Sequence, residues 1–174
     1  MHNPHIAVYA GTFDPLTNGH LDIIRRAASM FETLHIAVSD HGRKQTVFSV
    51  HERIDALNTG ISDLKNVKVI GFTNLLYQLM QQLGAGVVVR GLRVTSDFDY
   101  EFQMAAINRE LGHFETVMLM AKAEHMMISS SNIKEVAILG GDVTAFVPPH
   151  VAQMVEKAYA DKIRSHASRY AESQ

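Results

Sequence analysis

A histidine, several arginines and lysines, and a cluster of hydroxyls stand in this chain at spacings suited to phosphate chemistry. Tyr9 to His20 read YAGTFDPLTNGH. An apolar run ends there at Gly11, and an amphipathic helix begins near His20. Strand, tight turn and helix start together form a common phosphate site. The stretch holds neither Gly-x-x-x-x-Gly-Lys-Ser/Thr nor Gly-x-Gly-x-x-Gly, so an anion would be held by other means. Gly11 lets backbone approach a ligand, and Thr12 offers an N–H and a hydroxyl. An ordinary turn is the competing reading, and Asp14-Pro15 suits it. Gly19 keeps the helix entry clear. His20 lies in the first helical turn, where the positive helix end disfavours imidazolium, so a neutral ring can donate one N–H to an anion. Because His20 follows the capping position, Ala in its place is expected to leave stability nearly unchanged.

Three further stretches carry candidates. RGLRVTSDFDYEFQ contains Arg90, Arg93 and Glu101, with both arginines directly after a Val-rich strand. Guanidinium suits bidentate phosphate binding, whereas pairing with Asp97 and Asp99 would make them ordinary surface charge. Arg43 and Lys44 lie in a polar loop that should open on the same side. Ser129, Ser130 and Ser131 precede a helix; one serves as its cap, and the row could also supply donors to a phosphate. The other histidines form no metal set, there being no His-x-x-x-His on a helix. Met118, Met120, Met126 and Met127 read as core filler or pocket lining.

The elements that would position these residues alternate. Strands are expected at 6–10, 34–39, 67–71, 87–90 and 116–120, and helices at 19–31, from Ser49 to about 60, 75–83 and 98–111. A further helix starts within SSSNIKE and stops at Gly140-Gly141, and a last one runs from Pro148-Pro149 to about Lys162. Ser49-Val50-His51-Glu52 reads as a capping box. The pattern predicts an α/β fold, a single Rossmann-like, doubly wound domain over residues 1–174. Its five-stranded parallel sheet carries helices on both faces, and a polar tail from about 163 is expected to fray. With the fourth strand beside the first, GTFDP and RGLR would bound a crevice at the carboxyl ends of the strands.

The 174 residues, 47% of them hydrophobic, suit one globular domain. The formal charge of −2 argues against a nucleic-acid partner. The absence of Cys excludes disulfides and cysteine metal sites and fits a reducing compartment. No apolar run is long enough for a membrane span, and the N-terminus lacks signal-peptide character. A cytoplasmic location is expected.

Taken together, YAGTFDPLTNGHLDII, RGLRVTSDFDYEFQMAAINREL and ISSSNIKEVAILGGDVTAFVPPHV resemble one family. The first carries the His/Thr-x-Gly-His signature of a nucleotidyltransferase superfamily, here Thr17 to His20. The other two are narrower and are similar to bacterial phosphopantetheine adenylyltransferases, enzymes of coenzyme A biosynthesis. The likeness runs from about Ile6 to about Ala158. It implies a magnesium-assisted attack by 4′-phosphopantetheine on ATP that gives dephospho-coenzyme A and pyrophosphate with no covalent enzyme intermediate. It further implies a homohexamer. On this resemblance His20, Lys44 and Arg93 act in catalysis, and Thr12, Lys44, Leu76 and Arg90 hold phosphopantetheine. Thr12, Phe13, His20, Gly91, Leu92, Arg93, Glu101, His125, Met126, Met127, Ile128, Ser129, Ser130 and Ser131 line the ATP site, with no protein metal ligand.

Ala10 stands where the family often has Pro, and Gly42 to Thr46 lacks the two prolines usual in that loop. Asn74 replaces a common Asp, and His125-Met126-Met127 stands where an aromatic is common. A nucleotidyltransferase for nicotinamide mononucleotide or a polyol phosphate is the nearest rival. A non-catalytic nucleotide-binding module is the rival from another class.

Overall fold

The structure, a computed structural model, describes residues 2–40 and 46–172. Five strands, β1 (Asn3–Gly11), β2 (Thr33–Ser39), β3 (Val67–Phe72), β4 (Ala85–Leu92) and β5 (Glu115–Met120), pair in parallel in the order β3-β2-β1-β4-β5. Tyr9 stands opposite Ile36 on one side and Val89 on the other. The order reverses between β1 and β4, so a crevice opens there at the carboxyl ends of both strands.

Alternation along each strand divides the core between the two faces of the sheet. Ala7, Tyr9, Leu34, Ile36, Val38 and Val89 face one way, towards α1 (Asn18–Ala28), α2 (Val50–Gly60), α5 (Ser130–Ile138) and α6 (Pro149–Glu172). Val8, Ala10, Ala37 and Val88 face the other, where Leu79 and Met80 of α3 (Leu76–Leu83) and Phe114, just beyond α4 (Thr95–Gly112), meet them. Burial on both faces explains why β4 reads as a run of valines.

Helix starts follow local chemistry. The capping box at Ser49 is present: Ser49 N–H donates to Glu52 Oε2 at 2.8 Å and Glu52 N–H to Ser49 Oγ at 3.3 Å. Ser129 caps α5, accepting from Asn132 N–H at 3.1 Å. At the other end of α3, Gly84 takes the left-handed conformation, φ 63°, that closes a helix.

Two expectations are corrected. The last helix continues to Glu172 instead of ending near Lys162 with a tail beyond it. After Pro149 the chain has no Gly or Pro, and Ala, Lys, Arg and Glu all favour helix, so polarity alone did not mark an end. Nor do all four methionines act as core filler or lining: Met120 and Met126 line a hollow beside Phe98, but Met127 is 79% exposed.

Candidate active site

Two hollows meet at the carboxyl ends of β1 and β4. The first, about 350 Å³, lies between the β1–α1 turn, the end of β4 and the start of α5. The second, about 580 Å³, lies on the β2 side, and Ala10, Gly11 and Arg90 belong to both.

His20 anchors the first lobe. It is the third residue of α1, whose cap is Thr17. Thr17 Oγ1 accepts from His20 N–H at 3.2 Å, and Thr17 N–H donates to His20 Nδ1 at 3.1 Å. The ring therefore completes the capping box. An Nδ1 that accepts a backbone N–H carries no proton, so the neutral ring holds its proton on Nε2. Burial first, and then the charge of Arg93, push the His20 pKa down to about 4. Against expectation, replacing His20 therefore removes a helix-capping partner as well as a site donor.

The turn before α1 is tightly built. Phe13 takes φ 52°, a conformation that is strained for a residue with a side chain. Its ring stands edge-on between Tyr9 at 5.5 Å and His20 at 5.0 Å. A Cβ on Gly11 would come within 3.0 Å of that ring, which explains the glycine. Asp14 is buried and accepts from Val47 N–H at 3.0 Å, Phe48 N–H at 3.0 Å and Lys134 Nζ at 3.1 Å.

Both arginines line the first lobe and both have protein partners. Arg90 Nη1 donates to Ala10 O at 3.0 Å, and its Nε lies 3.1 Å from Glu101 Oε2 as an ion pair not aligned as a hydrogen bond. Arg93 makes a bidentate contact with Asp97, at 3.1 and 3.2 Å, and reaches Ile128 O at 3.3 Å. Pairing and facing the crevice, posed as alternatives by the sequence, hold together. Ser130 Oγ donates to Pro15 O at 2.8 Å, tying α5 to the turn. On the outer side Asp22 of α1 pairs with Lys122 Nζ at 2.9 Å, tethering the segment that leads to His125.

The first lobe brings together Phe13, His20, Arg90, Gly91, Arg93, Glu101, His125, Ile128, Ser129, Ser130 and Ser131. Thr12 and Leu76 line the second instead, beside Phe72, Leu75, Tyr100 and Met104. Leu92 and Met126 line a separate hollow with Phe98, and Met127 points to solvent. Lys44 and its neighbour Arg43 lie outside the described residues. No group of three or more His, Asp or Glu able to hold a metal ion occurs among the described residues.

Sequence reasoning missed Tyr9, Asp14, Lys134 and Arg53. Arg53 is 2% exposed and donates to four carbonyls, Phe48, Ser49, Thr12 and Ser39, at 2.8–3.3 Å. It has no carboxylate partner among the described residues. The capping box placed it in the first turn of a helix, but nothing in the sequence signalled its burial.

A cytidylyltransferase-like family model matches residues 8–136. A curated phosphopantetheine adenylyltransferase from Desulfitobacterium hafniense (strain Y51) is 46% identical over 159 residues, 91% of this chain and 98% of that protein. Another, from Legionella pneumophila (strain Lens), is 45% identical over 152 residues, 87% and 89% of the two chains. This chain belongs to the phosphopantetheine adenylyltransferase family. Its fold is also that of the Plasmodium falciparum nicotinic acid mononucleotide adenylyltransferase complexed with APC, with TM-score 0.67, 14% identity, and coverage of 92% of this chain and 98% of the other. In this member of the phosphopantetheine adenylyltransferase family the fold places a polar lobe and a more apolar lobe on either side of Gly11 and Arg90.

Proposed function

We infer that the protein transfers the adenylyl group of ATP to 4′-phosphopantetheine, forming dephospho-coenzyme A and releasing pyrophosphate. The observation that carries this reading is the junction of the two lobes at Ala10, Gly11 and Arg90. A phosphate seated in the second lobe faces, across that junction, an ATP α-phosphate seated in the first. The acceptor's phosphate oxygen attacks the α-phosphorus in line, and the bond to the pyrophosphate oxygen breaks. That nucleophile is already an anion, so no general base is needed. The barrier is the approach of anion to anion, and the protein's part is positioning and charge stabilisation.

In this reading His20 donates Nε2–H to the α-phosphate as charge shifts in the transition state. Arg90 and Lys44 hold the acceptor's phosphate, Leu76 and Thr12 its neighbourhood, and Arg93 and the serine row the triphosphate. Magnesium bound to ATP would supply charge neutralisation at the phosphates. We further propose that copies of the chain assemble, as a hexamer on family resemblance. Support comes from exposed apolar residues on opposite sides of α4, Phe98 and Phe102 on one and Ile107 and Leu111 on the other. No helix among the described residues is long and apolar enough to cross a membrane. We assign the protein to the cytoplasm, the absence of Cys being consistent with a reducing compartment.

The test is pyrophosphate release from ATP with 4′-phosphopantetheine or with nicotinamide mononucleotide as acceptor. Turnover is expected with the first and little with the second. Equal or faster turnover with nicotinamide mononucleotide overturns the assignment.

A further inference from the structure

Tyr9 lies on the central strand β1, opposite Ile36 and Val89, where an aliphatic side chain would fill the core. It is 7% exposed and lines the first lobe. Its hydroxyl reaches towards the end of β4, since a Cβ on Gly91 would lie 3.6 Å from Tyr9 Oη. That hydroxyl makes no hydrogen bond to another side chain or to backbone among the described residues, and it borders the first lobe. Unlike Glu101 Oε2 and His125 Nδ1, which are sealed from water without a hydrogen-bond partner, the Tyr9 hydroxyl borders the crevice and can exchange water for a ligand atom. Gly91 lacks the side chain that would cover it, so it stays open to the crevice.

The surroundings select the ligand. Burial holds the phenol well above its ordinary pKa, against the opposing pull of Arg90 and Arg93, so the group keeps its proton and donates. Arg90 and Arg93 are the nearby cations, and His20 is on the same lobe. A neutral donor among cations faces an anionic oxygen better than an apolar or cationic group.

Resting on the adenylyl-transfer reading, we propose that Tyr9 is a nucleotide-binding residue whose hydroxyl donates a hydrogen bond to a phosphate oxygen of ATP in the first lobe. Tyr9→Phe removes that one atom and leaves the ring against Phe13.

The experiment compares wild type and Tyr9→Phe by thermal melting without ligand and by separate titrations of ATP, adenosine and 4′-phosphopantetheine. The variant is expected to melt at or above the wild-type temperature, because no internal hydrogen bond is lost. Its ATP affinity should fall roughly ten-fold or more, the scale of a hydrogen bond to a charged group. Adenosine and 4′-phosphopantetheine should bind as before. ATP affinity within two-fold of wild type overturns the proposal, as does an equal loss for adenosine, or a lowered melting temperature with unchanged ATP binding. Failure of the wild type itself to bind ATP would instead overturn the functional reading, so the two failures are distinct.

Discussion

The two lobes on either side of Gly11 are built on different principles. In the first, three side chains are held by the protein: Arg93 by Asp97, Arg90 by Ala10 O and Glu101, and His20 by Thr17. In the second, Leu75 and Tyr100 are 60% and 63% exposed, and the buried charge, Arg53, is turned towards backbone carbonyls. Preorganised dipoles gain most where charge moves during reaction, because they need no rearrangement at that moment. Apolar walls that gain their burial only on ligand binding contribute affinity more than rate. The division predicts that substitutions in the first lobe lower kcat and that substitutions in the second raise KM for the acceptor.

His20→Ala is the most severe test of that division. Loss of one preorganised donor should cut kcat by ~10²–10³, about 2.7–4 kcal/mol, while ATP binds within a few-fold of wild type. Its thermal melt should also drop, by the value of a lost capping contact, about 1 kcal/mol. Single-turnover transfer with ATP titration measures the first effect. A wild-type rate in a folded variant would make His20 a helix cap and nothing more. Next, Arg90→Ala at the junction should weaken use of 4′-phosphopantetheine by about 1.5–3 kcal/mol and disturb ATP less, as separate titrations would show. A loss confined to ATP would exchange the roles of the two lobes.

Leu76→Ala should raise KM for the acceptor several-fold, about 1 kcal/mol of lost apolar contact, and leave kcat and ATP untouched. Steady-state kinetics with each substrate varied would sharpen the contrast, and a fall in kcat would erase it. The smallest expected effect concerns pH. His20 stays neutral well below the usual histidine pKa of 6.5, down to about 4, so its ionisation should leave no inflection in kcat near pH 6.5. Stability behaves otherwise. Below pH 6.5 the unfolded chain takes up this proton and the folded one does not, so the His20 contribution is lost progressively as pH falls towards about 4. Melts of wild type and His20→Ala across that range should converge as pH falls.

The turn and helix start that hold His20 could be read from Gly11, Pro15 and Thr17 to His20, because each has a local conformational meaning. The tautomer could not, since it depends on where one backbone N–H points. Tyr9 was hidden because an aromatic in an apolar strand reads as core, and only the bare backbone at Gly91 reveals that its hydroxyl is uncovered. Asp14 looked like a turn residue, and its contact with Lys134 could not be seen, because it spans 120 positions of sequence. Arg90 and Arg93 were legible as candidates, but not that each would keep an acidic partner while lining the crevice.

The Asp14 contact with Lys134 also bears on how the molecule is made. During synthesis the ribosome delivers β1 and the His20 turn first and α5 last among the parts of the first lobe. Until then, among the described residues, Asp14 has the Val47 and Phe48 amides but not Lys134 to hold, and the crevice lacks one wall. An unfinished chain can pair β1, β2 and β4 in order yet presents no complete nucleotide lobe. ATP therefore gives little help to early folding, and its stabilising effect is confined to chains that have already closed that long-range contact.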